Sequence, residues 1–264
     1  MKVLALDFDG VIADSAPEAF WVALCTFAAL RPGARLAAGR GALLSARAAP
    51  PLAALARDPL YAPFVALIPL GNRAEDYGVA LAALEQGQEL PDQAAYDAFR
   101  AGQSEAFLLD YHARFYALRE ARSADDPAGW RALIPPYAPF VGLLRRRAPD
   151  AALAIATAKD RRSVGALLES YGIADLFPDR LILDKEAGVS KVSHLEQLQR
   201  VEKVRFSEIT FLDDKVSHLD RVRSLGVRCG LARWGYNGPR EALAARSRGY
   251  LICELADAEA QIFG

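Results

Sequence analysis

The chain has 264 residues, of which 52% are hydrophobic and 25% charged, with a formal net charge of −1. That length suits one large domain, or a core domain carrying a smaller one, with a core sizeable enough to need no disulfide or metal staple. With a balance so near neutrality, nothing global steers the chain to nucleic acid or an anionic membrane. Arg, Pro and Asp break the longest apolar stretches, which excludes a membrane-spanning helix.

Val3 to Phe8 is a short apolar run of the kind that forms a strand buried on both faces of a parallel sheet. Asp9-Gly10 then supplies a turn. From about Pro17 to about Ile134 the chain is rich in Ala, Leu, Arg and Glu and has no strand pattern. Ala19–Leu30 and Asp92–Arg119 read as amphipathic helices. The Ala- and Pro-rich piece from Gly39 to Leu70 predicts shorter ones. Pro135-Pro136 breaks the chain, as a hinge or sharp re-entry would.

Beyond Pro136 the pattern alternates. Tyr137–Arg147 reads as helix, Ala151–Ala156 as strand, and Asp160–Tyr171 as a helix with Asp160 at its N-cap. Leu181–Leu183 is a short strand, and Ser190 caps a helix running to about Glu202. Ile209–Leu212, Val227–Ala232 and Tyr250–Cys253 read as strands. Ser217–Leu225 reads as helix, and Pro239 opens another at its first turn. Strands separated by helices imply right-handed crossovers and a doubly wound, Rossmann-like α/β core with a parallel sheet. That core is expected at residues 1–15 and 136–264, with an inserted all-helical domain at 16–135.

Cys25, Cys229 and Cys253 lie far apart and form no CxxC pair. They read as reduced, mostly buried thiols of a cytoplasmic protein. The first strand begins at Lys2, so no signal peptide is expected ahead of it.

In open α/β sheets, ligands bind beyond the carboxyl ends of the strands. The polar residues at those ends are Asp7 and Asp9 after the first strand, Thr157 after the second, and Asp213-Asp214 after the 209–212 strand. Lys191 starts a helix between them. Each has an ordinary explanation alone: an Asp-Gly turn, a strand-end threonine, a solvated lysine, a helix-capping pair. Together they make one chemistry. Carboxylates gathered at one sheet end need a counter-charge, and hard oxygen ligands point to Mg²⁺. One carboxylate can attack phosphorus, and a second, two residues on, can protonate the leaving oxygen and then activate water. The Thr157 hydroxyl and Lys191 ammonium can hold phosphoryl oxygens.

These motifs resemble those of the haloacid dehalogenase superfamily, in its phosphoglycolate phosphatase-like and β-phosphoglucomutase-like branch. They stand here as LALDFDGVIADS, LAIATAKD, SKVSHLEQL and ITFLDDKVSHL, and the WGYNGP stretch at Trp234–Pro239 resembles the C-terminal part of such proteins. The resemblance implies that Asp7 is the nucleophile and a Mg²⁺ ligand. Asp9 is implied as general acid/base, with its backbone carbonyl on the metal. Thr157 and Lys191 would bind phosphate, with Lys185 as the alternative to Lys191. Asp213 and Asp214 would complete the metal site. Leu212 replaces the usual Gly of the last motif, and Ser217 or His218 takes the place of a later Asp, whose role Asp214 would assume.

The resemblance further implies that the helical insertion is a cap, and that the protein is a phosphatase hydrolysing a small phosphorylated metabolite. No nucleic-acid or membrane partner is expected, and the chain would be a monomer or homodimer. A phosphomutase of the β-phosphoglucomutase type and a non-catalytic binding or regulatory module are the alternatives. His112, His194 and His218 show no metal-ligand spacing and read as surface or capping residues. The insertion holds no lysine, leaving arginines such as Arg40, Arg47, Arg73 and Arg114 to grip a distal anionic group.

Overall fold

The run Val3–Leu6 forms a strand, β1, with every residue buried. The computed structural model describes residues 1–71, 73–188 and 190–264. The chain divides into two units, Met1–Asp14 with Pro135–Gly264, and Ser15–Ile134.

The second unit is helical. Helix α1 (Ala16–Leu30) is buried from Ala16 through Phe27 and packs against the later helices of its unit. A helix apolar on all sides belongs in the middle of a bundle. Three short helices follow where the sequence predicts them, α2 (Gly41–Ser45), α3 (Leu52–Ala56) and α4 (Tyr61–Leu67). Helix α5 (Ala74–Gln86) is one that the sequence reading does not mark. Arg73 N donates to Asp76 at its start (3.1 Å), and Gly87 ends it in the left-handed region at φ 66°.

The segment Asp92–Arg119 is two helices, not one. Helix α6 (Gln93–Ala101) is capped by Asp92, which accepts from Ala95 N at 2.8 Å. Helix α7 (Glu105–Asp125) starts afresh at Ser104, whose hydroxyl accepts from Phe107 N at 3.2 Å. Gly102 and a good N-cap two residues later outweigh the continuous helical periodicity. Helix α8 (Pro127–Ala132) closes the unit. Gly78 lets α5 approach the Tyr111 ring of α7: a Cβ at that glycine would lie 2.7 Å from the ring. Glu18 is buried on α1 and accepts from Arg119 Nε (2.8 Å) and Trp130 Nε1 (3.1 Å), tying α1 to α7 and α8.

The first unit resumes with α9 (Ala138–Arg147), β2 (Ala152–Ala156), α10 (Arg161–Ser170) and β3 (Ile182–Leu183). Then come α11 (Lys191–Glu202), β4 (Ile209–Asp213), α12 (Val216–Val222), β5 (Arg228–Ala232), α13 (Pro239–Ser247), β6 (Leu251–Cys253) and α14 (Ala258–Phe263). Most boundaries fall within a residue or two of the sequence reading. The first strand's ladder closes at Leu6 rather than Phe8, and the helix expected to Leu225 ends as a 3₁₀ turn over Arg223–Leu225.

Among the described residues the sheet has six strands, all parallel, in the order β3-β2-β1-β4-β5-β6. Val3 is in register with Ala152 on one side and with Ile209 on the other. The chain winds outward both ways from β1, so the switch point of the sheet lies at its carboxyl end, where a crevice forms. Val3, Ala5, Ala154, Ala156 and Phe211 share a core with Leu195 and Leu198 of α11 and Leu219 and Val222 of α12. Each leucine so enclosed contributes about 1.5–3 kcal/mol of transfer free energy. The three cysteines are free and buried. Among the described residues, no helix is long and apolar enough to cross a membrane.

Candidate active site

The carboxyl end of β1 turns sharply. Asp7 N still donates to Leu212 O of β4 (2.9 Å), which fixes the residue at the sheet edge. Phe8 O then accepts from Ile12 N (2.9 Å) and Ala13 N (3.1 Å), curling the chain into a compact loop. Gly10 stands at φ 81°, and a Cβ there would lie 2.5 Å from Asp214 Oδ2. Glycine is therefore required twice over, for backbone conformation and for space. The WGYNGP stretch packs on this loop: Trp234 Nε1 donates to Val11 O (3.0 Å) and Tyr236 O–H to Asp14 (3.0 Å).

From β2, Thr157 N donates to Leu183 O (2.8 Å), and the Thr157 hydroxyl oxygen accepts from Lys159 N (3.2 Å). That leaves the hydroxyl proton available to an incoming acceptor. Lys191 is the first residue of α11, capped by Ser190. Its buried ammonium donates to Asp7 Oδ1 (2.8 Å) and Ala156 O (2.6 Å) and lies 3.4 Å from Asp213 Oδ2. Lys185, the alternative, is exposed. Asp213 closes β4 at 0% exposure, with Lys215 N donating to it at 2.9 Å. Asp214 accepts from Tyr236 N at 2.8 Å. Asp7, Lys191, Asp213 and Asp214 thus converge at one end of the sheet, with Asp9 in the loop that follows Asp7 and Thr157 at the end of the neighbouring strand β2.

Three residues of this region escaped the sequence reading. Lys159 places its ammonium 2.9 and 3.3 Å from the two Asp9 oxygens. The signal for it is parity, two residues past Thr157, as Asp9 is two past Asp7. His218, read as an ordinary surface or capping residue, faces Asp213 with Nδ1 at 3.0 and 3.1 Å from its oxygens. It sits in the first turn of α12, which folds back over the end of β4. His194, read the same way, is buried and bridges two carbonyls, Asp184 O (2.9 Å) and Gly188 O (3.0 Å). Both oxygens accept, so Nε2 carries the proton. Asp184 in turn accepts from Arg161 Nε (2.8 Å) and Glu186 N (2.9 Å). This network braces the approach to Lys191. His112 does bind at the surface, to Glu75 (2.8 Å). Of the arginines considered for a distal anion, Arg40 is held by both oxygens of Asp58 (2.7 and 2.8 Å) and Arg114 pairs with Asp110 (2.8 Å).

The site carries more negative charge than it compensates. Burial pushes the Asp7 carboxyl above its usual range, against the pull of Lys191. Burial, with the charges of Asp213 and Asp7, pushes Asp214 well above it. Asp213 is also buried, but His218 and Lys191 hold it well below. Lys191, despite burial, is pushed up by Asp7 and Asp213. Asp7, Asp213 and His218 each offer a ligand atom within 4.8 Å of the others. Crowded hard oxygens with a deficit of positive charge fit a divalent cation.

No protein-family model matches the sequence, and no curated protein sequence matches it. Solved structures do resemble it. A haloacid dehalogenase-like family hydrolase from Streptococcus pneumoniae superposes with a TM-score of 0.63 at 12% identity, covering 98% of this chain and 97% of its own. A predicted phosphoglycolate phosphatase from Haemophilus somnus gives 0.61 at 18% identity, covering 97% and 96%. A conserved haloacid dehalogenase-like protein of unknown function from Agrobacterium tumefaciens gives 0.58 at 16% identity, covering 100% and 98%. At such identities the likeness is one of fold.

Proposed function

We propose that this chain, which has the haloacid dehalogenase-like fold, is a phosphatase that hydrolyses a small phosphorylated metabolite through an aspartyl-phosphate on Asp7, with Mg²⁺ as cofactor. The observation that carries the reading is the Lys191 ammonium, 2.8 Å from Asp7 and 3.4 Å from Asp213. A buried cation joins a nucleophile candidate to a metal-site candidate, with a second acid two residues from the first.

In the first step an Asp7 oxygen attacks phosphorus, the bond to the leaving oxygen breaks, and Asp9 gives that oxygen its proton. In the second, Asp9 takes a proton from water, whose oxygen attacks phosphorus and releases inorganic phosphate and the Asp7 carboxylate. Thr157 donates its hydroxyl proton to a phosphoryl oxygen, and Lys191 offsets the charge that gathers there. Asp7, Asp213 and Asp214, with the Asp9 backbone carbonyl, would hold Mg²⁺, which when bound supplies charge neutralisation at the phosphoryl oxygens. Lys191 is preferred to Lys185 because it is buried against Asp7 whereas Lys185 is exposed. The helical unit Ser15–Ile134 is read as the cap that selects the substrate. The free, buried cysteines accord with a cytoplasmic protein.

The test is hydrolysis of p-nitrophenyl phosphate and a panel of phosphorylated metabolites with Mg²⁺ and with EDTA. Wild type should turn over at least one ester only with the metal, and Asp7→Asn should lose roughly 1,000-fold or more. Undiminished turnover by Asp7→Asn would remove the nucleophile from the scheme.

A further inference from the structure

Lys159 is an enclosed cation beside the candidate acid. Its side chain is 2% exposed, while that of Asp9 is 34% exposed. Its ammonium meets both Asp9 oxygens, at 2.9 and 3.3 Å, and stands 5.9 Å from the centre of the Phe8 ring. Its backbone is fixed as well, since Lys159 N donates to the Thr157 hydroxyl oxygen at 3.2 Å. A buried ammonium without a counter-charge costs several kcal/mol. The enclosed lysine therefore dictates where the more exposed carboxylate rests, rather than the reverse.

We propose that Lys159 is a positioning residue for Asp9, a role that rests on the phosphatase reading. The loop Thr157-Ala158-Lys159 would then serve two ends at once. Its first residue grips the phosphoryl group and its third aims the acid that serves the leaving oxygen. A general acid contributes only when it lies within hydrogen-bond reach of its target, and a carboxylate on a partly exposed turn has several rotamers from which to miss. Two contacts to one ammonium select among them.

The chemistry gives a readout that a merely structural lysine would not move. p-Nitrophenoxide leaves with little help, whereas phenoxide, of nearly the same shape, needs a proton. Lys159→Met should therefore lower kcat/KM for phenyl phosphate about tenfold more than for p-nitrophenyl phosphate. Lys159→Arg, which keeps a charge in place, should recover part of the difference. In an Asp9→Asn background, Lys159→Met should add no further selective loss, because the residue it positions is already disabled. Thermal melting of each variant reports folding. Equal losses on the two esters, or an undiminished selective loss in the Asp9→Asn background, would overturn the assignment of Lys159 alone. A folded wild type inert towards both esters and the metabolite panel would overturn the phosphatase reading, and this proposal with it.

Discussion

His218 Nδ1 lies 3.0 and 3.1 Å from the two carboxylate oxygens of Asp213, a residue with no exposed surface. The imidazole and Lys191 approach Asp213 together, and between them they hold its charged form in a site that burial would otherwise discharge. Groups that orient a ligand carboxylate tune its metal affinity. His218→Ala should weaken divalent-cation binding about 10- to 100-fold, read by calorimetric titration with Mg²⁺ and by the Mn²⁺ electron paramagnetic resonance signal. Unchanged binding would reduce His218 to a packing residue.

Gly10 is the conformational pivot of the Asp7–Asp9 loop. Gly10→Ala adds left-handed strain of about 1–2 kcal/mol, and its methyl would stand 2.5 Å from Asp214 Oδ2. Stability to urea should fall by at least that amount. A displacement of the loop by about 1 Å should cost roughly 100-fold in turnover. Retention of both wild-type stability and rate would show that the loop has room the geometry denies it.

His194 makes stability depend on pH. Burial first, and then the Lys191 charge, keep the folded imidazole below its ordinary value of 6.5. Below that value the unfolded chain takes up a proton that the folded chain resists. Stability is therefore fully present above about pH 6.5 and is lost as the pH falls towards the depressed folded value, by at most about 1.4 kcal/mol per pH unit. His194→Gln keeps an N–H for the two carbonyls and cannot titrate. Urea midpoints at pH 7.5 and 5.5 should draw apart less in that variant than in wild type.

Glu18 anchors the helical unit from within. It is buried and accepts from both Arg119 and Trp130. Glu18→Ala removes the acceptor that α7 and α8 share and should destabilise the unit by about 3–5 kcal/mol. Glu18→Gln keeps one oxygen and should cost less. Urea unfolding, with proteolysis within Ser15–Ile134 as the local probe, separates the two.

Much of the architecture was legible in the sequence, for reasons visible in single elements. Val3–Leu6 is apolar at every position because it is buried on both faces, and Asp160 and Ser190 stand where helices need an acceptor. The break between α6 and α7 was harder to see, because Gly102 does not interrupt the apolar spacing and the cap at Ser104 competes only locally. Helix α5 went unmarked although its Gly78 and run of alanines are what its close packing on α7 requires.

The sequence by itself determined which residues stand at strand ends, since hydrophobic runs stop where the sheet stops: Asp7, Thr157 and Asp213 follow directly from that. Only the tertiary structure decided who answers their charges. Lys159 meets Asp9 across 150 positions, and Lys191 reaches Asp7 and Asp213 from a different helix. A parallel sheet brings the ends of distant strands to one edge. Ion pairing there depends on the order of the strands and on which side chains the core leaves room to bury, and neither quantity is written in local periodicity.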